Sequence, residues 1–133
     1  MNIANKKKSY RWVLLRHIGE PNDSRGFHFD LLLEDSGFCR TWRLSDIPLL
    51  DGPYVDSVSI PPHDLYWLDV EEKFVSGNRG FAKRIKQGVF LQSFPSVETT
   101  SIKLSVIWDN LEVDLVLDEI GCRILSKNSN YFF

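Results

Sequence analysis

Residues 101–117 read SIKLSVIW-DN-LEVDLVL, two arms joined by Asp109-Asn110. In the second arm Leu111, Val113, Leu115 and Leu117 alternate with Glu112 and Asp114. A period of two is that of a strand with one face buried, and Asp-Asn is turn chemistry, so the stretch predicts a β-hairpin. The same period recurs outward from it. Upstream it marks strands at 10–18 (YRWVLLRHI) and 27–34 (FHFDLLLE), and Asp35-Ser36-Gly37 turns the chain into a third, FCRTWRL. A loop with Pro48, Gly52 and Pro53 leads to a short strand near 55–60, and HDLYWLDV at 63–70 reads as another. Ser76-Gly77-Asn78-Arg79-Gly80 is a turn, after which 81–86 and 88–93 read as a strand or bent strand pair. Downstream, CRILS closes the series, and the helix candidates are only short turns at 45–50 and 71–74. Many short strands with turn punctuation predict an all-β fold with little helix. A compact antiparallel β-barrel is expected, because closure removes the exposed edges of so much β structure.

The 133 residues suffice for one domain and not for two. It is expected over 10–126, with a flexible tail at 1–9 bearing Lys6-Lys7-Lys8 and another at 127–133 ending in Tyr131-Phe132-Phe133. Hydrophobic residues at 43% and charged ones at 26% exclude disordered and fibrous classes. A net charge of −2 supplies no global field toward nucleic acid or membrane, so any such contact must be local. No apolar segment follows the basic N-terminus, and the next apolar run, WVLL, is four residues long. The expectation is a cytoplasmic protein with no membrane partner. Cys39 and Cys122 form no CxxC and are expected buried and reduced. Trp12, Trp42 and Trp108 are expected in the core, and Glu71-Glu72 on the surface.

Chemistry concentrates in the first half, which holds all three histidines: His17, His28 and His63. His28 and Asp30 are two apart on one strand and share a face. With a second His at the end of a neighbouring strand they make two imidazoles and one carboxylate, a ligand set that suits Mn, Fe or Zn with positions left open. The plainer alternative is a half-buried His beside an acid, in a structural β domain. Arg79, Lys83, Arg84 and Lys86 cluster within eight residues, and Arg84 and Lys86 would share a strand face. They suggest either a phosphate-backbone track, with Trp67 or Phe81 stacking an unpaired base, or a solvated strand.

The stretch from His17 through His28-Phe29-Asp30-Leu31-Leu32-Leu33-Glu34 to Thr41-Trp42-Arg43-Leu44 resembles the 3′-phosphoesterase domain of bacterial DNA ligase D. The likeness continues through His63-Asp64-Leu65-Tyr66-Trp67-Leu68-Asp69, the Gly-rich turn at 75–80 and Lys86-Gln87-Gly88-Val89-Phe90. It is nearest to the small stand-alone members. The resemblance implies a β-barrel with its site in the concave interior, and Mn2+-dependent removal of a 3′-phosphate or terminal ribonucleoside from DNA or RNA. It also implies a possible separate ligase partner. By the same resemblance His17, His28 and Asp30 are the metal ligands, and His63 contacts the scissile phosphate or moves a proton. Catalysis then falls to His63, His28 and Asp30, and substrate binding to His63, Tyr66, Trp67, Arg79, Arg84 and Lys86.

The chain departs from the family at several points. Leu32 stands where the family has a phosphate-binding Arg, Trp67 where it has a Tyr, Ser45-Asp46 where a Lys is frequent, and Pro61 where it has an acid. The gap of 11 residues from His17 to His28 is longer than the family's, the excess falling in GEPNDSRG. Arg25, Arg40, Arg43 and Arg79 are the candidates to replace the missing Arg. Two alternatives therefore stand beside the enzyme. One is a non-catalytic module that binds a nucleic-acid end or a protein, and the other is a phosphoesterase acting on a small nucleotide.

Overall fold

The computed structural model describes residues 9–94 and 101–127. The expected tails, with Lys6-Lys7-Lys8 and Tyr131-Phe132-Phe133, lie outside the described residues. The strands are β1 Tyr10–Ile18, β2 Phe27–Asp35, β3 Phe38–Leu44, β4 Ser57–His63, β5 Glu72–Phe74, β6 Phe81–Phe90, β7 Ile102–Trp108, β8 Leu111–Leu117 and β9 Cys122–Ser126. They form one antiparallel sheet in the order β4-β3-β2-β1-β6-β7-β8-β9, with β5 on β6. Asp109 and Asn110, both with positive φ, make the expected hairpin turn between β7 and β8.

The described ladders make a curled, open sheet, a half-barrel, in place of the closed barrel expected. No ladder among the described residues joins β4 to β9. Between them lies the Pro48–Pro53 loop, whose prolines lack the N–H that a ladder needs. That loop and the residues just after it contribute only two isolated bridges, Leu50 to Ile124 and Val55 to Cys122.

Two more expectations are corrected. Residues 65–69 form a turn of 3-10 helix instead of a strand, with the Trp67 N–H donating to the Asp64 carbonyl at 3.2 Å. The β3–β4 ladder shifts at Pro61-Pro62 and ends at His63 just before it, and Leu68 is its buried anchor. Residues 72–74 are the strand β5, and 45–50 form bends with one bridge residue, so neither short helical turn is present.

Alternation divides β1–β3 into two buried faces. Trp12 and Leu14, Phe29, Leu31 and Leu33, and Trp42 and Leu44 join the main core with residues of β6–β9. Trp108 stacks on Trp12 at 4.4 Å, as the aromatic core requires. The alternate residues Val13, Leu15, Leu32 and Cys39 pack under Leu68 in a smaller cluster. Cys39 and Cys122 are free and buried, and burial pushes their thiols up to about 11 and about 12. Glu71 and Glu72 are exposed, as expected.

Strand β6 is single but bulged. Leu14 pairs with Lys86 and Leu15 with Arg84, leaving Ile85 extra. Arg84 and Lys86 therefore lie on opposite faces, contrary to the expectation from strict alternation. Gly88, Lys86 and Phe90 follow the main core, and Ala82 and Arg84 follow the smaller face.

Candidate metal centre

His17 pairs directly with His28 across β1–β2, and Asp30 pairs with Arg43 across β2–β3. Directly opposed residues hold their Cβ atoms about 4.5–5.5 Å apart, so this register alone gathers the four side chains. All share the face opposite the main core. The interior placement implied by the resemblance is thus corrected: Trp12, Phe29, Trp42 and their neighbours fill that space.

His17, His28 and Asp30 are each more than nine-tenths buried. One ligand atom from each lies within 4.8 Å of the others. Asp30 Oδ2 is 3.4 Å from His28 Nε2 and 3.8 Å from His17 Nδ1. Ligands each about 2.1 Å from one ion stand roughly 3–4 Å apart, so the spacing fits a shared ion.

The other ring nitrogens are occupied. His17 Nε2–H donates to the Arg79 carbonyl at 2.6 Å, which leaves Nδ1 as the lone pair facing Asp30. His28 Nδ1–H donates to Asp23 Oδ2 at 2.8 Å, which leaves Nε2 bare. Such outer partners fix the tautomer and aim of a metal-ligating imidazole. His28 Nε2 and Asp30 Oδ1 are buried without a hydrogen-bond partner. Buried polar atoms normally find a partner, and a cation between them would satisfy both.

Electrostatics agree with that donor set. Burial pushes the Asp30 carboxyl up, but its interactions with the His17 and His28 rings and the charge of Arg43 prevail and hold it well below the usual range. The Asp30 carboxylate raises the His17 imidazole above its ordinary value, against the opposing effect of burial. The hydrogen bond with His28 lowers the Asp23 carboxyl. Burial lowers His63.

A pocket of about 480 Å³ opens beside the cluster, lined by His17, Asp30, Arg43, His63, Trp67 and Arg79 among others. His63 reaches it from the end of β4, where the ladder shifts at Pro61-Pro62, and its Nδ1 is 3.0 Å from Thr41 Oγ1. Trp67 meets His63 edge-on at 6.0 Å, and Tyr66 leans on Trp67. Leu32 is fully buried in the smaller apolar cluster. Arg43 supplies the nearby cation, with Nε 3.5 Å from Asp30 Oδ1.

The remaining basic residues divide. Arg79 serves the site through its carbonyl, while its side-chain Nε donates to Ser76 O. Arg84 is held by the Leu68 carbonyl and Glu71, and does not line the pocket. Lys86 pairs with Asp109 beside another cavity. Arg25 donates to the Ser45 carbonyl, and Arg40 lies over Trp42 and Phe94. Arg84 and Lys86 thus lack the shared face that the phosphate-track alternative needs.

Sequence reasoning missed Asp23 and left Arg43 as one of four candidates. Asp23 lies in GEPNDSRG, the segment that lengthens the His17–His28 gap, and that excess length was the available signal. Asp23→Ala frees Nδ1 of His28 and is expected to weaken divalent-metal binding by roughly 10- to 100-fold, measured by titration calorimetry.

The fold and site define a class: an antiparallel half-barrel carrying a buried two-histidine, one-carboxylate cluster compatible with metal binding. A scan against protein-family models and a search of curated proteins find no match. No helix among the described residues is long and apolar enough to cross a membrane.

Proposed function

We propose that this protein is a divalent-metal-dependent phosphoesterase of the ligase D 3′-phosphoesterase type. It would act on DNA or RNA 3′ ends, releasing a 3′-phosphate or a terminal ribonucleoside. A separate ligase would seal the healed end. The observation that supports this reading most is that one pocket is lined by His17 and Asp30 of the metal-compatible cluster, by the guanidinium of Arg43 and by a proton-transfer group, His63. His17, His28 and Asp30 would hold the ion, Mn2+ by the resemblance. When bound, such an ion supplies a Lewis acid for phosphoryl oxygens.

The chain's own residues do the rest. Arg43 binds a phosphate oxygen and stabilises charge that develops there, the role vacated at Leu32. His63, lowered by burial and hence neutral at pH 7, accepts a proton from water as its oxygen attacks phosphorus. The ester P–O bond breaks, and the leaving oxygen regains a proton from the imidazolium. Trp67 walls the pocket against bulk water.

The test is phosphate release from a 3′-phosphorylated oligonucleotide with Mn2+. Arg43→Ala is expected to lower the rate by roughly two to three decades, and Arg43→Lys to restore little of it, because Lys lacks the planar fork. An unchanged rate in Arg43→Ala sinks the assignment of Arg43. Metal binding without turnover on any phosphoester would make the protein a binding module instead.

Metal binding and folding should respond oppositely to pH. A proton on His17 Nδ1 excludes a cation, and the raised His17 pKa lets that proton compete from above the ordinary 6.5. Divalent-metal affinity is expected to fall, by up to roughly tenfold per pH unit, as pH drops through that raised value. In the metal-free protein, a folded-state pKa above the unfolded one means stabilisation complete below 6.5 and lost as pH rises through the folded value. Calorimetric titrations and metal-free melting curves at pH 6 and pH 8 check both signs.

A further inference from the structure

Thr41 is only 2% exposed on the face beside Leu32, where a valine would fill the same volume. A hydroxyl there needs partners. Thr41 Oγ1 donates to the Cys39 carbonyl at 3.1 Å and lies 3.0 Å from His63 Nδ1. A hydroxyl has one proton, and a carbonyl can only accept. With that proton turned to Cys39, Thr41 presents a lone pair to His63.

We infer that Thr41 is a positioning residue that holds His63 as the tautomer protonated at Nδ1, leaving Nε2 as the ring nitrogen that takes up a proton in the pocket. The backbone supports this arrangement. Cys39 pairs with His63 and Thr41 with Ile60, so the shift at Pro61-Pro62 brings the imidazole back over β3. Trp67, edge-on to the ring, limits its rotation. The assembly is a base with its orienting partner, supplied by neighbouring strands, and it shares its pocket with His17 and Asp30. Its use in catalysis rests on the phosphoesterase reading, whereas the tautomer does not.

The experiment begins with ring nitrogen NMR of the full, metal-free chain labelled with 15N-histidine at pH 7.5. His63 is expected to show a protonated Nδ1 and a bare Nε2. Thr41→Val is expected to move the ring toward the Nε2–H form, and Thr41→Ser to restore the wild-type pattern. A wild-type ring protonated at Nε2 overturns the inference. This wild-type reading decides the tautomer even if Thr41→Val does not fold.

The second readout is steady-state hydrolysis of a 3′-phosphorylated oligonucleotide with Mn2+. Thr41→Val is expected to lower kcat by roughly 100-fold with KM changed by less than about twofold, and Thr41→Ser to recover most of it. A folded Thr41→Val with wild-type kcat overturns the positioning role. A wild type without hydrolysis overturns the phosphoesterase reading instead, and the NMR result still decides the tautomer.

Discussion

Asp30→Ala is expected to abolish divalent-metal binding and to cost about 3 kcal/mol of folding stability in the metal-free protein. The carboxylate is 4% exposed and faces His17, His28 and Arg43 at once. Removing one partner from a buried charged group typically costs about 3–5 kcal/mol, because the charges left behind have neither partner nor water. The lower end applies here, since the Arg43 side chain is 39% exposed and can turn to solvent. Asp30→Asn keeps the shape but not the charge, and separates packing from electrostatics. It should lose metal and retain more of the stability. Denaturant unfolding and calorimetric titration of wild type and both variants make the check. A folded Asp30→Ala protein that binds metal with wild-type affinity would exclude Asp30 from the ligand set.

Gly80→Ala is expected to be the most damaging single-methyl change near the site. Gly80 has φ +94°, and a Cβ there would stand 2.1 Å from the Ile18 carbonyl oxygen and 2.8 Å from the Gly19 carbonyl carbon. Both obstacles are backbone, so no side-chain rotation relieves the clash, and β1 and the turn before β6 must separate. The strained φ and the forced shift together cost roughly 3 kcal/mol or more, which lowers Tm by roughly 10 °C. The shift also reaches chemistry. Arg79, whose carbonyl aims His17, is the preceding residue, so the metal affinity of whatever still folds should fall roughly tenfold. Gly37→Ala is the control. Its φ is +106°, but nothing lies within 4 Å of the added carbon, so strain alone should cost about 1 kcal/mol. Equal losses in the two variants would show that the Gly80 contact is not the cause.

Much of this was readable from alternation. The β7–β8 hairpin and β9 were legible because one face of each is apolar, and a period of two then reports burial directly. Strands β1–β3 are buried on both faces and were legible as short apolar segments bounded by turns. His28 and Asp30 were legible as face-sharing neighbours from the period of two. What alternation does not carry is the offset between strands. Arg43 meets Asp30 because of the β2–β3 register, and four arginines were equivalent until that register was known. The 3-10 turn at 65–69 was hidden because Tyr66, Leu68 and Val70 mimic a strand's period of two, although only Leu68 is buried there. Asp23 was hidden because a loop carboxylate has no period at all.

The bulge at Ile85 has a meaning for how this chain tolerates insertion and deletion. It divides β6 into two phases, one laying Ala82 beneath the histidines and the other sending Gly88 and Phe90 to the tryptophans. Gly88 admits no larger residue, since a Cβ there would meet the Ile107 carbonyl oxygen at 2.4 Å. The second phase is therefore locked. Loss of Ile85 would join Arg84 to Lys86 and leave them opposite Leu15 and Leu14 as before, so Ala82 would stay beneath the pocket. One residue added between Ala82 and Arg84 would instead push Ala82 off the histidine face and set the added side chain in its place. The bulge therefore lets β6 lose one residue without turning a face over, but not gain one, while the number of strands stays the same.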